Sequence, residues 1–306
     1  MSERIARGTR AVLAIELVVI GALLTVALDQ YAHKRVQQLG GVNTWGYRGA
    51  VVPTRQPHEF RIAVLGGDQA FGWGVAPEET TTAYLRTVVQ TRMPGSGVGR
   101  PVRAVNLGAM GLPARGYASR LSQFAYLAPD VVCLYVDLVD TRDGSVMPPH
   151  DSGVAALTGY VPMLPLVLDE KGLPLAGVVG RLLTAADRGL YDLVSAARAP
   201  EAGEDRLVSI GRAVHVALGL APVVVVVPVP LTSADRTEHD RLLTVLQSRA
   251  SATARLRVVD LAAQPRLFDP GLRLDGVSFG AGGQSIVADE IAPAVAAFVP
   301  ASEEHP

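Results

Sequence analysis

Between Ile62 and Val75 the chain reads Ile-Ala-Val-Leu-Gly-Gly-Asp-Gln-Ala-Phe-Gly-Trp-Gly-Val. A buried strand here runs into a glycine-rich turn with Asp68 at its tip. An elbow of this kind exposes one side chain at a strand end. Acyl transfer there needs a nucleophilic hydroxyl or thiol, an imidazole to deprotonate it, and N–H donors facing the developing oxyanion. Asp68 supplies a carboxylate instead. Three further stretches fall at predicted strand ends or loops: Asn106-Leu107-Gly108, Asp137-Leu138-Val139-Asp140 and Asp275-Gly276-Val277-Ser278. Asp68, Asp137, Asp140 and Asp275 together would suit Mg²⁺ or Ca²⁺, which take oxygen ligands. The simpler reading has them capping helices and bonding backbone N–H groups, so no metal or cofactor is expected. The turn lacks the Lys-Ser/Thr pair of a phosphate loop, and neither HExxH nor CxxC occurs.

The elements that must position these residues alternate. Short Val-rich apolar runs at Phe60–Leu65, Val102–Leu107, Val131–Val136, Val223–Val229 and Leu256–Leu261 read as parallel strands buried on both faces. Helical patterns at Thr80–Arg92, Gly116–Leu127, Ser233–Ala250 and Gly282–Phe298 lie between them. That alternation predicts an α/β fold, a doubly wound and mostly parallel sheet of five strands. The rhythm breaks at residues 141–202, where a Pro- and Gly-rich stretch precedes an amphipathic pattern over Val178–Arg198. We read an insertion after the third strand, serving as a lid over the site or as an ordinary surface subdomain. The single cysteine, Cys133, sits in an apolar run and is expected to be a buried, inert thiol.

In wording and spacing, Val64-Leu65-Gly66 before Asp68 and Phe71-Gly72-Trp73-Gly74-Val75 after it resemble the first motif of SGNH (GDSL-type) hydrolases. The resemblance extends over residues 43 to 300, and its first segment is Asn43-x-x-Gly46-Tyr47-Arg48-Gly49. It implies an SGNH/flavodoxin-like fold and a site carried over position by position. Asp68 stands at the serine nucleophile, Gly108 at the oxyanion glycine, and Val139 at the oxyanion asparagine. Asp275 stands at the triad aspartate and Ser278 at the histidine. Loss of a triad serine or histidine costs about 10⁶ in turnover, and loss of one oxyanion donor about 10²–10³. What the resemblance implies is therefore a pseudoenzyme, with no catalytic set intact. His150, in the insertion, could swing over the site but has no nucleophilic serine beside it, and His215, in a helical pattern, and His239, in an acidic, polar helix, are read as structural or solvated rather than as substitutes.

Ala11 to Leu28 is an apolar run interrupted only by Glu16 and Thr25. As a helix it would span roughly 27 Å, close to the ~30 Å hydrocarbon layer. Arg4, Arg7 and Arg10 precede it, favouring a cytoplasmic N-terminus. The expected organisation is residues 1–10 inside, 11–28 across the membrane, a stem over 29–58, an α/β domain over 59–300 and a tail over 301–306. The alternative is a signal peptide cleaved near Thr25-Val26-Ala27. Gly21 and Thr25 form a small-xxx-small pair that admits close helix approach, and Glu16 lies on the opposite face. All three are candidate contacts to a membrane protein partner. A net charge of −1 gives no nucleic-acid footprint. The function expected is a binding or accessory subunit in the periplasmic or extracellular space, with an envelope glycan or acyl group as ligand. The alternatives are an active envelope carbohydrate esterase or acyltransferase with unorthodox residues, and a structural subunit of a membrane complex.

Overall fold

A computed structural model describes residues 2–38, 41–92, 101–138, 152–164, 167–168, 174–195 and 205–299. Five parallel strands form one sheet: β1 (Phe60–Gly66), β2 (Val102–Asn106), β3 (Val131–Tyr135), β4 (Val223–Val227) and β5 (Leu256–Asp260), in the order β2-β1-β3-β4-β5. The order reverses between β1 and β3, and ligands in such sheets bind beyond the carboxyl ends of the strands at that crevice.

The central strands β1, β3 and β4 are buried along their whole length because both faces are covered, whereas the edge strands β2 and β5 are only partly buried. Along β1, Ala63 and Leu65 join one core while Phe60, Ile62 and Val64 join the other. The first core is closed by α4 (Tyr117–Gln123), α7 (Arg206–Leu220) and α8 (Ser233–Ser251), and the second by α3 (Thr81–Arg92) and α9 (Ala281–Ala296). The five valines of β4 are all buried. The strand readings from sequence hold to within two residues. Helix α7 was legible only as the helical surroundings of His215.

The chain begins with α1 (Ser2–Gln38), far longer than the apolar run alone. Residues Val12–Arg35 are long and apolar enough to cross a membrane. At Leu28 exposure is 55%, and at Asp29 it falls to 5%. From there Asp29, Ala32 and His33 form one buried face. Asp29 Oδ1 accepts from the Met163 N–H (2.8 Å) and the Leu164 N–H, and Asp29 Oδ2 accepts from the Tyr160 hydroxyl. His33 Nε2 donates to the Val161 carbonyl.

The expected stem over 29–58 is thus corrected. Its first third is helix, and the stretch after it packs into the domain. A small third core joins Ala32 and Val42 to Phe71, Met110, Ala155, Val161 and Met163. Apolar side chains on both sides of residue 40 had no reason to stay in water once the segment at 152–164 offered them a surface.

That segment belongs to the insertion. It holds α5 (Gly153–Thr158), followed by the strap Tyr160–Leu164, and then α6 (Pro174–Ser195), which packs against α5. Val154 N–H donates to Asp187 Oδ1 (2.8 Å) across that contact.

Candidate functional site

The elbow is built by β1 running out at Gly66 and turning through Gly67 into the one-turn helix α2 (Asp68–Phe71). Asp68 heads α2, and its Oδ1 accepts a hydrogen bond from the Gly111 N–H at 2.7 Å. The glycines are dictated by contact. A Cβ on Gly67 would come within 2.0 Å of Asp137 Oδ2, and one on Gly108 within 2.4 Å of the Phe71 nitrogen. Gly108 therefore lets β2's outgoing chain lie against the back of α2, which fixes the turn.

Gly108 is not the donor that faces residue 68. Its N–H is taken by Asn106 Oδ1 at 2.9 Å, and the residue does not line the cleft. The N–H directed at the elbow side chain belongs to Gly111, three residues later. This corrects the oxyanion position carried over from the family motif. A loop closed on itself by Asn106 shifts the available donor along the chain, which spacing alone could not indicate.

Asp275 and Ser278 form a closed local unit. Asp275 Oδ1 accepts from the N–H groups of Val277 (3.0 Å) and Ser278 (2.6 Å), and Asp275 Oδ2 accepts from the Ser278 hydroxyl (3.1 Å). Gln69 Nε2 donates to the Val277 carbonyl at 2.9 Å, so the elbow and this loop are joined directly. Asp68 and Ser278 line one cleft of about 240 Å³, together with Gln69, Tyr135, Asp137, Asp235 and Arg273 and the apolar side chains Leu138, Val229, Leu231, Val277 and Phe279. Val139 and His150, like Asp140, lie outside the described residues. No described residue of the insertion lines the cleft, and no described histidine does. His239 is buried elsewhere, between Asp240 (3.1 Å) and Asp260 (2.9 Å).

Tyr135 and Arg273 were not singled out from the sequence, and Asp137 only as one of four carboxylates. Asp137, two residues past β3, accepts from the Tyr117 hydroxyl at 3.2 Å. Tyr135 is fully buried, and its hydroxyl has no hydrogen-bond partner among the described residues. Burial first, and then the charge of Asp137, push that phenol up, against a smaller opposing effect of Arg273. Arg273 lies over the Phe279 ring at 4.2 Å and donates to the Leu267 and Val277 carbonyls. Burial pulls its guanidinium down, opposed by Tyr135 and Asp275.

Arg48 works from behind. It donates to the carbonyls of Phe71, Gly72 and Val75 and stacks on the Phe71 ring at 4.5 Å, so it holds the outgoing half of the elbow. Burial lowers it to about 10, offset in part by Glu78, and it stays charged at neutral pH. The signal for it was present in the segment Asn43-x-x-Gly46-Tyr47-Arg48-Gly49.

Among the described residues no group of three or more His, Cys, Asp or Glu side chains is placed to hold a metal ion. On α1, Glu16, Gly21 and Thr25 are all exposed. The Thr25 hydroxyl bonds back to the Gly21 carbonyl at 2.9 Å, and nothing lies within 4 Å of a Cβ placed on Gly21.

No protein-family model matches the chain, and no curated protein does. Solved structures similar to it include a member of the lipolytic G-D-S-L family from Veillonella parvula DSM 2008, at 11% identity over 76% of this chain and 97% of that one, with a TM-score of 0.45. A catalytic mutant of an acetylxylan esterase from Geobacillus stearothermophilus is 15% identical over 79% of this chain and 97% of its own, with a TM-score of 0.46. A family 3 carbohydrate esterase from Clostridium thermocellum is 16% identical over 78% and 99%, with a TM-score of 0.43.

Proposed function

We propose that this chain is a membrane-anchored SGNH-like pseudoenzyme, a binding or accessory subunit whose body stands outside the cytoplasmic membrane. The observation that carries the reading is the 2.7 Å hydrogen bond from the Gly111 N–H to Asp68 Oδ1. The backbone donor best placed to meet an oxyanion is already occupied by the protein's own carboxylate. A second negative charge forming beside Asp68 would be repelled rather than stabilised. Ser278, where a base would stand, has its hydroxyl and its N–H both committed to Asp275.

The cleft pairs carboxylates and Arg273 with a wall of Leu138, Val229, Leu231, Val277 and Phe279. Such a lining suits a ligand with hydroxyls on one side and an apolar face or chain on the other, and we assign it an envelope glycan or acyl group. The small face at Gly21 and Thr25, with Glu16 opposite, provides the surface for a membrane protein partner.

The test is hydrolysis of a short-chain aryl ester by the full-length protein in detergent. The expected rate is background for the native chain, with a measurable gain in the Asp68→Ser/Ser278→His double variant. Native turnover that disappears in Asp68→Ala would overturn the reading, because it would make Asp68 itself the reacting group.

A further inference from the structure

We infer that α6 lies in the membrane–water interface, with its apolar stripe seated among the lipid headgroups and acyl ends, as a second membrane contact beside α1. The inference rests on the anchoring of α1 proposed above.

The stripe is continuous. Val178, Leu182, Ala185, Gly189 and Leu193 recur at steps of three and four over the 22 residues of α6, and all five are exposed. Leu182 and Leu193 are 65% and 78% exposed, so each keeps most of its apolar area in water in the absence of a covering surface. The opposite side is already used. Asp187 takes the Val154 N–H, and a Cβ on Gly153 would meet the Leu190 side chain at 2.6 Å and the Tyr191 nitrogen at 2.5 Å. The stripe therefore faces away from the body.

Two arguments identify lipid as its occupant. The first is position. Helix α6 packs on α5, whose six residues cover roughly 9 Å at about 1.5 Å per residue. The strap that follows α5 grips Asp29 and His33, within about one turn of Leu28, where the exposed apolar run of α1 ends. The chain thus fixes α6 beside the point where α1 leaves the hydrocarbon. Interfacial helices sit about 5–10 Å into the headgroup boundary, which is within that reach.

The second argument is charge. Arg181 and Arg188, seven residues apart, are both exposed and flank the stripe on the same side. An apolar stripe bordered by arginines is how a helix binds an anionic bilayer surface, with the guanidinium groups at the level of the phosphates.

The test places single cysteines for spin labels in the full-length chain, reconstituted into bilayers containing anionic lipid. Native Cys133 is fully buried, and its thiol is pushed up to about 12 by burial, so it does not compete for label. Leu182→Cys and Leu193→Cys report on the stripe, Leu23→Cys on α1, and Ser248→Cys on the exposed side of α8. At positions 182, 193 and 23, collision with dissolved oxygen is expected to exceed collision with a water-soluble nickel chelate, and at 248 the ratio should reverse. A lipid signature at 23 with a water signature at 182 and 193 overturns the placement of α6 alone. A water signature at 23 overturns the anchor and α6 with it. Shielding of 182 and 193 from both reagents marks a protein partner, which also overturns the inference.

Discussion

The two ends of the sheet treat buried polar groups in opposite ways. At the amino ends, Glu59 is buried between Arg61 (2.7 Å) and Arg103 (3.2 Å), and its carboxylate also takes the Gln56 N–H. Arg61 spends its remaining donors on the carbonyls of Leu127 and Pro53, while Asp130 takes the Arg61 N–H and the Arg55 guanidinium. At the carboxyl ends, a tyrosine hydroxyl is buried without a partner among the described residues, in the wall of a cleft that three carboxylates also line. Buried polar groups are ordinarily satisfied, and exceptions gather where a site serves something other than stability. The amino end is a fastening and the carboxyl end an open cleft, although the same five strands support both.

Removal of the Glu59 carboxylate should give the largest effect. Glu59→Ala leaves Arg61 buried without its counter-charge, and loss of one partner of a buried pair costs about 3–5 kcal/mol. Chemical denaturation should read that loss. Burial by itself would raise the Glu59 carboxyl, but the hydrogen bonds from Arg61 and Gln56 and the charges of Arg61 and Arg103 outweigh it and hold it below its ordinary value. A carboxyl lowered on folding stabilises the native state above its unfolded pKa and loses that contribution as pH falls through the folded one. The native chain should therefore weaken in that acidic window, and Glu59→Ala should show less of this dependence.

An intermediate effect is expected behind the elbow. Gly108→Ala drives a methyl into the backbone of Ala70 and Phe71, which cannot rotate away as a side chain could. A destabilisation of about 1–3 kcal/mol, typical of overpacking, should be accompanied by a changed amide environment at Gly111 in NMR spectra. An unchanged Gly111 amide would separate the turn from the donor.

The smallest effect should come from the cleft itself. Tyr135→Phe deletes a buried hydroxyl that has no partner among the described residues, and stability is expected to stay level or rise by up to about 1 kcal/mol. Thermal unfolding can check this. A clear loss would show that the hydroxyl is satisfied after all, and the contrast between the two ends would fail.

Much of the architecture was legible in the chain because it is written in local pattern. Five Val-rich runs separated by helical periods specify a parallel sheet covered on both faces, since only double burial makes a strand apolar at every position. The flanks of Asp68 identify the elbow by their local wording, although the groups its glycines make room for lie far off in the chain, Asp137 at Gly67 among them. The site was only partly legible. Asp68, Asp275 and Ser278 follow from their blocks, whereas Gly111 in place of Gly108 depends on which N–H Asn106 has already taken.

Tertiary structure decided what no local pattern carries. Arg48 reaches the elbow carbonyls from 23 residues away in the chain, and a bond of that kind leaves no periodic trace. The grip of the Tyr160–Leu164 strap on Asp29 spans more than 130 residues. Asp29 reads in sequence as the first polar residue after an apolar run. Only the fold brings two backbone N–H groups and a phenol to its carboxylate, and so turns the base of an apolar helix into part of the folded body.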